Sequence, residues 1–215
     1  MKNKLKGVLS IYDNFAMYHD YDDLNGLGPA KNLTIDTMRL LVKSVIDLDK
    51  DISEMSFKNA TFHNVISFDS ILGDVIFWTE PEMRKLYFKN GDIESGNYKV
   101  PYLLWKYRNG HGLSIYALKG KPKSLDTEIY QAPFHNVYDG GSVCMGSAKI
   151  NKNIRYFDDL IDEIIDKFFG SFFTHKLGNP LKVDYKTFMF ENKDNTKLVY
   201  NKYLRKLNKT LKDVL

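Results

Sequence analysis

The sequence predicts an α+β protein, and three observations carry that reading. Residues 74–118 are rich in aromatic and β-branched side chains and are split by Asn109-Gly110, a strong tight-hairpin signal. Residues 156–169 place Phe157, Leu160, Ile161, Ile164, Ile165 and Phe168 on one helical face and Asp158, Asp159, Asp162, Glu163 and Asp166 on the other. Between the two lies PFHNVYDGGSVCMGSA, residues 133–148, which has neither period and is punctuated by glycine.

Taken in order, residues 6–18 are rich in Val, Ile, Tyr and Phe and predict one or two strands. Residues 20–32 carry glycines, a proline and several acids, and predict a loop. Thr34 is placed to cap a helix running to about residue 48, with Ile35, Met38, Leu41 or Val42, Val45 and Leu48 on its inner face. Residues 52–73 have no clear period, and short strands fit there. Residues 74–88 predict a strand, a turn at Glu80-Pro81-Glu82 and a returning strand. With the hairpin of residues 100–107 and 113–118, they predict a four-stranded antiparallel meander. Its aromatics (Phe77, Trp78, Tyr87, Phe88, Tyr102, Trp105 and Tyr116) are expected to supply one sheet face. Gly170 ends the helix of residues 156–169. Residues 181–191 predict another strand or extended arm, and residues 196–214 a last helix with Val199, Tyr203, Leu207, Leu211 and Val214 in a stripe. With no repeat or clear linker, the expectation is a single domain over residues 1–215. Additions are expected at its N-terminal side (about 1–72) and C-terminal side (about 180–215).

Composition narrows the function classes. The chain has 215 residues, 43% apolar and 14% aromatic, enough for a substantial core. A net charge of +4 with 27% charged residues is a mild basic excess that suits a solvated surface. Basic and stacking residues are not interleaved in the manner of nucleic-acid readers, so no nucleic-acid partner is expected. The one cysteine, Cys144, excludes an internal disulfide framework and suits a reducing compartment. His19, His63, His111 and His175 lack metal-ligand spacing, and no glycine-rich phosphate loop occurs, so neither metal nor cofactor is expected. No stretch approaches the ~18 apolar residues of a membrane span. The lysines and short apolar run at the start are followed by Asp13 with no small-residue cleavage site. A cytoplasmic protein without a membrane partner is the simplest expectation.

Residues 133–148 carry the chemistry. Asn136 precedes Cys144 by eight residues, and Asp139-Gly140-Gly141 between them is a turn signal. A reversal there would bring an amide side chain toward a thiol. Acyl transfer through sulfur needs such company: a nucleophile, a donor for the oxyanion, and a tight loop holding both. Plainer readings stand beside this one. A lone cysteine is otherwise a small buried apolar residue. Asn136 and Asp139 are otherwise turn residues bonded to local backbone. His135 is otherwise a loop-structuring or solvated side chain.

The stretch HNVYDGGSVCMG resembles the active-site segment of ubiquitin-conjugating enzymes, in which a His-Pro-Asn triplet is followed by a glycine turn and Ile/Val-Cys-Leu. Asn136 falls at the family's asparagine, Gly141 in its glycine turn, Val143 and Met145 at the flanking apolar positions, and Cys144 at the acceptor cysteine. The proline is missing, His135 stands directly beside Asn136, and no tryptophan follows the cysteine. More closely, DVIFWTEPEMRKLYF, YKVPYLLW, APFHNVYDGGSVCMG and FFGSFFTH resemble the prokaryotic ubiquitin-conjugating-enzyme-like family D, the PRTRC system protein B group, over residues 74–175.

That resemblance implies a ubiquitin-conjugating-enzyme-like fold: an antiparallel meander, flanking helices, and a cysteine-bearing active-site loop packed near the helix from residue 156. It implies that Cys144 accepts a ubiquitin-like protein as a thioester from a ThiF-like activating enzyme and passes it to an amine or hydroxyl. Asn136 would donate to the oxyanion or brace the loop. His135 is a candidate general base, and Asp139 a candidate proton acceptor for an incoming lysine. ATP would be used by the activating enzyme, and a JAB-type metallopeptidase is implied in the same bacterial cassette. The alternative is a catalytically inactive binding module of the same fold, in a ubiquitin-like or plasmid-associated cassette.

Overall fold

The computed structural model describes residues 7–11, 16–22, 24–34, 37, 55–58, 64–89, 91–151, 153–174, 177–178 and 180–215. The chain divides into two compact units, Met1–Ser53 and Glu54–Leu215.

In the first unit, β1 (Gly7–Ile11) pairs antiparallel with β2 (Ala16–Asp22), Gly7 opposite Asp20 and Ile11 opposite Ala16. Two short strands, β3 (Gly26–Leu27) and β4 (Lys31–Leu33), also pair with β2. Much of the expected loop at residues 20–32 is therefore strand. The reason is local: the Asp22 carboxylate accepts from the backbone of Leu24 and Asn25, and Gly26 takes a φ of 73°, so the chain turns back onto β2. The helix expected over residues 34–48 falls almost wholly outside the described residues.

In the second unit the strands before the first helix are β5 (Val65–Asp69), β6 (Asp74–Thr79), β7 (Met83–Phe88), β8 (Gly96–Lys99), β9 (Tyr102–Arg108), β10 (Gly112–Leu118) and β11 (Glu128–Gln131). Then come α1 (Phe157–Phe169), β12 (Phe172–Phe173), α2 (Tyr185–Asn192) and β13 (Lys206–Thr210). The described residues are mostly antiparallel sheet with two α-helices, in keeping with the α+β class.

The main sheet has six strands in the order β13-β11-β10-β9-β6-β5. The hairpin expected at Asn109-Gly110 forms, with Arg108 opposite Gly112 and Gly110 at φ 78°. The returning strand expected after Glu80-Pro81-Glu82 exists as β7, but it does not pair with β6. Both edges of β6 are taken, by β5 and β9. β7 instead joins a second sheet, antiparallel to β8 and parallel to β12. The meander therefore runs through β5, β6, β9 and β10, with β7 and β8 as an excursion.

The aromatics do not share one face. Side chains alternate along a strand, so adjacent Phe77 and Trp78 must point oppositely. Phe77 stacks on Trp105 at 5.7 Å within the larger core, whereas Trp78, Tyr102 and Tyr116 belong to a second cluster with Leu104, Leu118 and Ile129. Tyr87 and Phe88 belong to the second sheet.

Helix α1 fulfils its amphipathic pattern: Phe157, Leu160, Ile164, Ile165, Phe168 and Phe169 are buried, and Gly170 ends it. Phe168 and Phe169 meet the Trp105 ring at 5.5 and 5.8 Å, which fixes the helix C-terminus over β9.

Two expectations near the C-terminus fail. Residues 181–191 are not an extended arm, since Tyr185–Asn192 is helical, with the Asp184 carboxylate accepting from Thr187 N at 2.8 Å. Tyr185, Phe188 and Met189 are its buried positions, an i, i+3, i+4 set. Residues 196–214 are not a continuous helix. They form single 3₁₀ turns at Tyr200–Lys202 and Leu211–Asp213 on either side of β13, which pairs with β11. Exchanging a lone helical stripe for a sheet edge satisfies β11 and buries Tyr200, Leu204, Leu211 and Val214.

Candidate functional site

The segment between β11 and α1 is held from several sides. Phe134 lies among Phe168, Phe169 and Phe173 at ring distances of 5.2 to 5.8 Å, so its entry is anchored in the aromatic core. Just beyond, the chain reverses. Gly141 N donates to Tyr138 O at 3.0 Å, Tyr138 N donates to Ser142 O at 2.9 Å, and Val137 bridges Val143. Cys144 N then donates to Asn136 O at 2.8 Å, which sets the two backbones side by side.

One side of this hairpin completes the edge of β10 left free by β11. Ile115 N donates to Gly141 O at 2.8 Å, and Val143 N to Leu113 O at 2.9 Å. That docking explains why residue 141 is glycine. Its φ is 104°, and a Cβ there would stand 2.3 Å from the Tyr116 ring.

Gln131, which the sequence reading passed over, clamps the same turn from below. It is fully buried; its Nε2 donates to Tyr138 O at 2.9 Å and its Oε1 accepts from Gly140 N at 3.2 Å. The only sequence signal was a polar residue in the otherwise apolar run IYQAPF. Replacing it with leucine leaves the Gly140 N–H without its acceptor and takes from Tyr138 O one of its two donors. Gln131→Leu should destabilise the fold by about 2 kcal/mol, read by urea titration.

The four residues singled out in the sequence fall into distinct settings. Cys144 is exposed. Asn136 is buried: its Nδ2 donates to Phe172 O at 2.9 Å and its Oδ1 accepts from Thr174 N at 3.2 Å, which ties the hairpin to β12. His135 is half-buried, its ring 4.6 Å from Tyr185 and 5.9 Å from Phe88. Burial pushes the Tyr185 phenol well above its usual range, and its hydroxyl donates to Pro133 O at 3.0 Å. Asp139 is ion-paired with the Arg205 guanidinium at the turn.

Cys144 and Asn136 line one groove of about 720 Å³, whose other wall is the C-terminal half of α1 with β12. Neither His135 nor Asp139 lines it. One wall is small, through Gly146, Ser147 and Ala148, and faces Gly170 and Ser171; Phe172 contributes an exposed aromatic ring. Its charges are mixed, with Lys89 and Lys167 against Glu163 and Asp166. Gly170, Ser171, Phe172 and Thr174 of FFGSFFTH thus line the groove, although the sequence reading assigned these four no role.

The site is thus a single exposed thiol in an open groove of an α+β fold. The sequence matches the family model of prokaryotic E2 family D over residues 38–210, so the chain belongs to that family, a group of prokaryotic E2-like proteins. No curated protein and no solved structure matches it. Among the described residues no helix is long and apolar enough to cross a membrane.

Proposed function

We propose that this chain carries a ubiquitin-like protein as a thioester on Cys144, received from a ThiF-like activating enzyme, and transfers it to an acceptor amine or hydroxyl. The observation that carries the reading is the exposure of the only thiol in an open groove, in a member of an E2 family. The groove falls within the about 300–1,000 Å³ common for ligand sites. Its small-residue wall beside the sulfur suits the close approach of an extended backbone.

In the loading step the Cys144 thiolate attacks the carbonyl carbon of the activating enzyme's thioester. A new C–S bond forms, the old one breaks, and the activating enzyme leaves as thiolate. No cofactor is needed on this chain, because ATP is used earlier by the activating enzyme. Asn136 supports the site by holding the hairpin to β12. Asp139 acts through its ion pair with Arg205, and His135 through its packing on Tyr185.

The test is incubation with the ubiquitin-like partner, the activating enzyme and ATP, followed by gels with and without reductant. A reductant-sensitive adduct that is absent in Cys144→Ala is the expected result. No adduct in the wild type would leave a binding module of the same fold.

A further inference from the structure

Resting on the thioester-carrier reading, we propose that the oxyanion of the transfer step is received by the backbone N–H groups of Gly146 and Ser147, while Asn136 is a positioning residue. Both ends of the Asn136 amide are already engaged, by Phe172 O and Thr174 N. Turning this amide toward the sulfur would break both of these bonds, which tie β12 to the hairpin, and that loss opposes its reorientation.

The chain immediately after the thiol supplies an alternative. Ala148 N donates to Met145 O at 2.9 Å, closing a turn with Gly146 at φ 54°. The two central N–H groups of such a turn cannot bond within it, and among the described residues no group accepts them. Gly146 and Ser147 are exposed and line the same groove as Cys144. Successive N–H groups around a left-handed residue form an anion-receiving concavity. Here it lies two and three residues from the sulfur that bears the acyl group.

The balance of the step is simple. An acceptor amine attacks the thioester carbonyl carbon, forming a C–N bond, and the carbonyl π pair moves onto oxygen, facing the two N–H groups. Collapse restores the carbonyl and breaks the C–S bond. Cys144 leaves as thiolate, and the ammonium proton passes to water.

The test removes one N–H without touching a side chain. Lactic acid incorporated at position 147 replaces the N–H with an ester oxygen, and Ser147→Ala is its matched control. Both proteins are loaded to completion with a synthetic peptide ending in a glycine thioester, and discharge to free lysine is timed. Loss of one oxyanion donor predicts discharge slower by about 10²-fold than the control. Discharge within threefold of Ser147→Ala overturns the proposal. Gly146→Ala provides a second reading should the ester variant fold poorly. A Cβ there meets nothing within 4 Å, so only the left-handed turn is disturbed and slower discharge is expected, whereas an unchanged rate overturns the proposal. If the ATP-dependent adduct forms and these variants discharge normally, the N–H assignment alone is wrong. If that adduct never forms in the wild type, the carrier reading fails first.

Discussion

Cys144→Ser should convert the reductant-sensitive adduct into one that survives thiol and is cleaved by hydroxide. The hydroxyl sits where the thiol sat, exposed in the same groove, so approach of the carried protein is unchanged. Reactivity does change. A serine hydroxyl attacks well only with a base beside it. Among the described residues no histidine lines the groove, and the His135 ring packs between Phe88 and Tyr185. Loading should therefore slow by about 10²–10⁴-fold, the range a positioned general base contributes. The oxyester, once made, should also discharge more slowly to amines than the thioester. Time courses on gels with reductant, then with alkali, measure both. A serine variant that loads as fast as the wild type would mean that a base reaches position 144, with His135 the first candidate.

Gly141→Ala should be the most damaging single-methyl change near the site. Two costs combine. Holding an L-residue at a φ of 104° is strained, and the new Cβ would stand 2.3 Å from a carbon of the buried Tyr116 ring. Backbone strain of about 1–3 kcal/mol and overpacking of a similar size suggest destabilisation by about 4 kcal/mol. The methyl also pushes the hairpin off β10, where Ile115 N and Val143 N are bonded. Loss of Cys144 loading should therefore accompany the fall in stability. A double-mutant cycle with Tyr116→Ala separates the two costs, because removing the ring relieves the collision and leaves the strain. A Gly141→Ala protein within about 1 kcal/mol of wild type in urea would show that the hairpin is not seated on β10 in this way.

The sequence was most legible where a local rule and the tertiary fold agree. The Asn109-Gly110 hairpin depends on a left-handed turn residue, and α1 on a single apolar stripe; both were written within a dozen or so residues. The reversal at Asp139-Gly140-Gly141 was readable for the same reason. Expectations failed where pairing partners are distant. Nothing between residues 74 and 88 says that both edges of β6 will be filled, which is what sends β7 to a second sheet. Residues 206–210 carry a pattern compatible with a helix, yet the open edge of β11 draws them into β13.

The site divides along the same line. Residue type and short spacing by themselves determined the lone thiol, the glycine turn beside it and the nearby amide, because a turn is decided by φ preferences of the residues in it. Only the tertiary structure decided what those groups face. It gave Asn136 the backbone of β12, Asp139 the Arg205 guanidinium and His135 an aromatic pocket, and it set the far end of α1 across from Cys144. The physical reason is that a polar group must find a partner on burial, and which partner it finds depends on strands and helices brought together from far along the chain.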